Sequence, residues 1–230
     1  MSRRRIAAAA LATATLAALV AGTVPTSAIG VSPVPPKVDW ASGGQAGAGD
    51  RAGGQAMARD SRGSAYVAGV YSGTLTIGGT TVTSQRGTET FIAKYSYRGE
   101  LQWLFSSSGD GASTPTSIAA DPVNGQVVVV GTFSGTEAFG DVRLTAGDAA
   151  DSYVVRFNAD GTPAWGKVIK GTGTDEALGV AIADDLGAFT PDRVFVAGRF
   201  DAQITLGAQT LTSAGGTDAF LWALDMTDGT

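Results

Sequence analysis

Residues Gln126 to Trp165 read QVVVVGTFSGTEAFGDVRLTAGDAADSYVVRFNADGTPAW. Four consecutive valines followed by an aromatic favour an extended, pleated backbone. The Asp160-Gly161 pair before Trp165 is a hairpin signal, because that turn needs a positive φ that glycine supplies at little cost. The same layout occurs three times, and its period is the first fact to settle in any fold assignment. The copies align on Gly69, Gly131 and Gly198. Two residues on stand Tyr71, Phe133 and Phe200, and eight on stand Ile77, Phe139 and Leu206, each followed by a glycine. Twenty on come Glu89, Asp151 and Asp218, and twenty-two on come Phe91, Tyr153 and Phe220. None of the copies needs a gap across this segment, so chance agreement is not a credible source of the pattern.

Outside that segment the unit is looser. Asp60, Asp121 and Asp184 close the strand before each glycine, at gaps of 9, 10 and 14 residues. The longest gap carries an insertion around Leu186–Arg193. Trp40, Trp103 and Trp165 recur at spacings of 63 and 62. In the second copy the expected main strands are Thr116–Ala120, Gln126–Phe133, Ser152–Asn158 and Ala164–Ile169, with a further short hairpin near Phe139 and Leu144. No sustained 3.6-residue period appears after the N-terminal leader. The expected class is all-β. Four short antiparallel strands in about 60 residues match a β-propeller blade, and three such blades would be an incomplete ring or a fragment. A blade alone cannot bury its two apolar faces, so stacking of neighbours is expected, with the offset apolar residues as packing and the glycines where backbones approach or turn. The repeat region spans 39–230, with copies at about 40–102, 103–164 and 165–230.

The order is Trp, a strand ending in Asp, YVAG or VVVG, TFSG…FG, a D-x-F/Y strand, then DG and Trp. This resembles the SBBP-type bacterial β-propeller repeat over essentially 39–230. The first copy departs from it at Tyr97-Arg98-Gly99, and the third at its insertion. The resemblance implies an exported or surface-associated bacterial protein. Its motif is structural and brings no catalytic residues.

The leader points the same way. Residues 1–28 have a basic start at Arg3–Arg5, an apolar run from Ile6 to Val20, and a small-residue cleavage site at Thr26-Ser27-Ala28, the parts of a secretory signal. The run is short for the roughly 20 residues that span a bilayer, so cleavage is expected rather than anchoring, by the general or the twin-arginine route. A Pro-rich lead-in occupies 29–38. Without the three leader arginines the chain has 13 basic against 21 acidic residues, or −8. That balance argues against nucleic acid and against docking to anionic lipid. With neither Cys nor His there is no disulfide framework, and the commonest zinc ligand and neutral-pH base are missing.

Each candidate site has a structural rival. Asp60, Asp121 and Asp184 could ring a channel and hold a cation, or could cap turns by accepting backbone N–H bonds, which Asp does well. Glu89, Asp151 and Asp218 face the same choice. The Gly109-Asp110-Gly111 and Gly171–Glu176 loops invite calcium but lack the alternate carboxylates it needs. The repeated tryptophans could stack on sugars, or pack between strands. No cofactor and no catalytic residue is assigned. The leading expectation is a non-enzymatic exported scaffold that binds an unknown protein or glycan ligand. The rivals are an extracellular carbohydrate-active enzyme using channel-mouth carboxylates, and a fragment of a larger surface protein. Open blade faces predict marginal stability or self-association.

Overall fold

A computed structural model describes residues 40–147, 150–183 and 192–230. The leader, the lead-in, Asp184 and most of the inserted loop lie outside the described residues. Within them every regular element is a strand, and no helix is long and apolar enough to cross a membrane.

The first copy contributes β1 (Gln45–Ala46), β2 (Arg51–Arg59), β3 (Ala65–Ser72), β4 (Thr74–Ile77), β5 (Thr80–Thr83) and β6 (Glu89–Tyr95). The second opens on β7 (Leu101–Ser106) and β8 (Ser108–Gly109), then β9 (Ser113–Ala120), β10 (Val127–Phe133), β11 (Thr136–Phe139), β12 (Val142–Thr145) and β13 (Asp151–Phe157). The third opens on β14 (Pro163–Gly171) and continues with β15 (Asp175–Ala183), β16 (Arg193–Phe200), β17 (Gln203–Leu206), β18 (Gln209–Thr212) and β19 (Asp218–Asp225). The four main strands expected in the second copy are β9, β10, β13 and β14, each within three residues of its expected ends. The extra hairpin is β11–β12.

All pairing is antiparallel. The main sheets run β2-β3-β6-β7, β9-β10-β13-β14 and β15-β16-β19. Each copy also has a satellite hairpin: β4–β5 joined by β1, β11–β12 joined by β8, and β17–β18 joined by the end of β14. The Trp strand therefore serves two sheets. In β14, Trp165 lies opposite Arg156 of the second copy, and five residues later Lys170 lies opposite Thr205 of the third. The chain passes from one main sheet directly into the satellite of the next. At the preceding junction β7 and β8 divide the same task, with Trp103 opposite Lys94 and Gly109 opposite Glu137.

The valine run explains how the copies hold together. Side chains alternate across a strand, and both faces of β10 are buried. Val127 and Val129 join Tyr66, Ala68, Ile92 and Ile118 in one core, between the first and second copies. Val128 and Val130 join Val194, Val196, Phe220 and Ile169 in another, between the second and third. A strand buried on both faces reads as a continuous apolar run rather than an alternating one.

The aligning glycines sit beneath a ring. Gly69, Gly131 and Gly198 lie directly opposite Phe91, Tyr153 and Phe220 in the ladder. A Cβ on Gly131 would fall 2.2 Å from the Thr114 carbonyl oxygen and 2.7 Å from the Tyr153 hydroxyl. The first strand of each main sheet, β2, β9 and β15, is bulged at this level. The bulge draws a carbonyl inward on one side of the glycine while the aromatic lies over the other.

Candidate functional site: the junctions between copies

The recurring tryptophans staple neighbouring sheets: Trp103 and Trp165 stand on the outer strand of one main sheet and hold a turn of the next. Trp40 Nε1 donates to the Tyr97 carbonyl, Trp103 Nε1 to that of Ala159, and Trp165 Nε1 to that of Met226, each at 3.1 Å. Every indole lies against the glycine of the same turn: Gly99, Gly161 and Gly229, at φ of +83°, +86° and +72°. A Cβ on Gly161 would come within 2.7 Å of the Trp103 ring, so that position requires glycine for its conformation and for the close approach. The Tyr97-Arg98-Gly99 departure in the first copy keeps this geometry.

Asp60 and Asp121 cap turns. Asp60 Oδ1 accepts from the amides of Arg62 (3.0 Å) and Ser64 (2.8 Å), and its Oδ2 lies 3.1 Å from the Tyr66 hydroxyl. Burial opposes its ionisation, but the hydrogen bonds from Ser64, Tyr66 and Arg62 prevail and hold the carboxyl below the ordinary range. Asp121 Oδ1 accepts from Val123 (2.7 Å) and Asn124 (2.8 Å). The two turns touch across the junction. Ser61 N donates to the Pro122 carbonyl at 3.0 Å, and the Tyr66 hydroxyl also reaches the Gly125 carbonyl at 3.1 Å. Asp121→Ala is expected to cost about 1–2 kcal/mol in a denaturant titration, the scale of a lost capping carboxylate, with Asp121→Asn keeping most of it. An unchanged midpoint for the alanine variant would refute the capping role.

The second set of acids is also spent on turns. Glu89, Asp151 and Asp218 accept from the amide four residues earlier, at Gln85, Gly147 and Ala214, each at 2.7–2.8 Å. In the Gly109–Gly111 loop, Asp110 Oδ1 accepts from Thr136 N at 2.7 Å. Among the described residues no three acidic side chains converge as a metal cluster would.

Two acids stand where the repeat has other residues. Six positions after the aligning glycine are Leu75, Glu137 and Ile204. Leu75 and Ile204 are core residues, and Glu137 is 0% exposed with neither carboxylate oxygen hydrogen-bonded. Gly109 closes over it, since a Cβ there would lie 3.1 Å from Glu137 Cδ. The Ser107 and Ser113 hydroxyls stand beside it, but they are 3.1 Å from each other and both accept from Thr90 N. Burial pushes the Glu137 carboxyl up to about 7. The two serine dipoles offset part of that, and the charges of Glu89 and Asp110 add to it.

The second is Asp175, which takes the place of Ser113, 44 residues after the aligning glycine of the copy before. Its Oδ1 accepts from Ser152 N at 3.0 Å, while Oδ2 is buried without a partner. Burial, then the nearby Asp151 carboxylate, push it up to about 7. Both acids are sealed at junctions between copies, so what they can exchange with solvent is a proton. Sequence reasoning passed over Glu137, and met Asp175 only within the Gly171–Glu176 loop read as a calcium candidate. The signal was present in the alignment: extending the offsets to six and forty-four shows an acid against Leu and Ile, and an acid against Ser.

No protein-family model matches the chain, and no curated protein sequence is detectably similar to it.

Proposed function

We propose that this is an exported, non-enzymatic β-propeller-repeat protein of the SBBP type, serving as an interaction or surface scaffold. The observation that carries the reading is the shared Trp strand. It completes one main sheet, staples the turn of the following copy, and enters that copy's satellite hairpin, so each copy is built to be continued by another. Burial of both faces of β10 between neighbours supports blade stacking. The recurring acids and tryptophans in the described residues are engaged in turns and staples, which favours a scaffold over carbohydrate-active chemistry. The two carboxyls that titrate near neutrality are closed to solvent, where no sugar could reach them. The leader supports export.

The test is expression of the full chain in a secreting bacterium. Cleavage after Ala28, recovery outside the cytoplasm, and no turnover of a polysaccharide panel are the expected results. Retention inside the cell would overturn export. Hydrolysis lost in Glu137→Gln or Asp175→Asn would overturn the non-enzymatic reading.

A further inference from the structure

We propose that the second satellite hairpin forms a binding pocket for a small dipolar ligand of the α-amino acid class, with the ligand's carboxylate on Arg143 and its ammonium group on Asp110. The pocket goes beyond the scaffold reading and does not depend on it.

The second copy breaks the repeat at this hairpin. Seven and twelve residues after the aligning glycine, the first copy has Thr76 and Thr81 and the third has Thr205 and Thr210. Each pair lies directly opposite across its hairpin, and the Thr76 and Thr81 hydroxyls are 2.8 Å apart. A cross-strand hydroxyl pair of this kind satisfies the face of a hairpin internally. The second copy has Ala138 opposite Arg143 instead. Alanine has no polar atom to hold its neighbour, and Arg143 is exposed. A pocket of about 400 Å³ lies at that position, lined by Gln85, Ser108, Asp110, Thr136, Ala138 and Arg143. That volume is within the range of small-ligand sites. The lining comes from the loop after β5, from the β8 segment and from the β11–β12 hairpin, so the site is built where the first and second copies meet.

The polar groups of this pocket are uncommitted. Asp110 Oδ1 accepts from Thr136 N at 2.7 Å, which fixes the carboxylate, while Oδ2 makes no hydrogen bond among the described residues. The side chains of Gln85, Ser108 and Arg143 likewise have no hydrogen-bond partner among them. Arg143 and Asp110 line one pocket yet form no ion pair with each other; among the described residues the ion pair present joins Arg199 to Glu176. Unpaired opposite charges in one pocket suit a ligand that carries both signs. The guanidinium fork takes a carboxylate through two parallel hydrogen bonds, and the free Oδ2 accepts from an ammonium group. A ligand that is only an anion is opposed by Asp110 and by the acidic body of the protein, and one that is only a cation is opposed by Arg143. The Gln85 amide and the Ser108 hydroxyl add neutral hydrogen bonds for a polar side chain. No aromatic ring lines the pocket, so a sugar would find no face to stack on.

Calorimetric titration of the full chain tests this with L-serine, with N-acetyl-L-serine, which lacks the ammonium group, and with L-serinamide, which lacks the carboxylate. L-serine should bind, and each blocked form should bind about tenfold or more weakly, the scale of one lost charge-assisted hydrogen bond. Arg143→Thr and Asp110→Asn should each weaken L-serine by a similar factor. The asparagine amide oxygen can still accept from Thr136 N, so the loop keeps its support. The double variant Ala138→Thr, Arg143→Thr restores the pair of the other two copies, and should abolish binding with no loss of melting temperature. No binding of L-serine at millimolar concentration, blocked forms that bind as tightly as L-serine, or undiminished binding in the double variant would each overturn the proposal and leave the exported-scaffold reading standing.

Discussion

Trp165→Ala is expected to lower stability by about 3–5 kcal/mol, the range for truncating a large aromatic in a packed core. Trp165 is 8% exposed and packs with Ile169, Phe220 and Leu224 in the core between the second and third copies. Its N–H holds the Met226 carbonyl and its ring backs Gly229. Removing the indole opens a cavity, frees a buried carbonyl, and unsupports a turn that depends on close contact. The three staples are not equally enclosed: Trp103 is half-buried, and Trp40 is exposed at its rim. The alanine series should therefore fall in the order Trp165, Trp103, Trp40, with Trp40→Ala costing about 1 kcal/mol, the scale of its hydrogen bond and its stack on Tyr95. Trp165→Phe keeps most of the volume and should isolate a loss of about 1 kcal/mol for the N–H bond. Denaturant unfolding followed by circular dichroism measures all four variants. Equal, small losses along the series would mean that the tryptophans are surface decoration.

The series separates what was legible in the sequence from what was not. Strand positions were legible, because the QVVVV run, the Asp-Gly turns and the aligning glycines are local signals whose physics acts within a few residues. Gly131 announced a close approach, and it lies between the Thr114 carbonyl and Tyr153. The partner of each tryptophan was not legible. Trp103, on the outer strand of the first main sheet, meets Ala159 in a turn of the second sheet 56 residues away, and periodicity says that a residue recurs without saying which turn it reaches. Glu137, and the junction position of Asp175, were missed for another reason. Attention to positions that agree between copies passes over those that disagree, and Glu137 and Asp175 are informative because they break the pattern. Asp60 and Asp121 presented the reverse case. Recurring carboxylates fit either a cation ring or turn caps, with capping the favoured expectation, and in these two each Oδ1 is occupied by two backbone amides.

Glu137→Leu should stabilise the protein at pH 8 and flatten its dependence on pH. The sign follows from linkage. In the unfolded chain Glu137 releases its proton near its ordinary value of 4.5, and in the folded chain only near 7. Between those values the folded state holds more protons than the unfolded one, so stability falls as pH rises through the window and levels off above it. Asp175, with an ordinary value of 3.8 and a folded value of about 7, acts in the same direction. Asp60, held below its ordinary value, acts oppositely, and its contribution is lost only in stronger acid. A rise of two to three pH units corresponds to about 3 kcal/mol for Glu137, where the desolvated charge also faces Glu89 and Asp110. Leucine at this position reproduces the Leu75 solution of the first copy and removes the charge. The variant should exceed the wild type by about 3 kcal/mol at pH 8, or about 6–12 °C in Tm for a domain of this size, and by much less at pH 5. Glu137→Gln should flatten the profile without the full gain, because a buried amide still lacks partners. Part of the slope should survive in both variants through Asp175, and should disappear when Asp175→Ser, the residue found at Ser113, is added. A wild-type Tm that does not change between pH 5 and 8, or a leucine variant less stable than wild type at pH 8, would show that Glu137 is already satisfied as an ionised carboxylate.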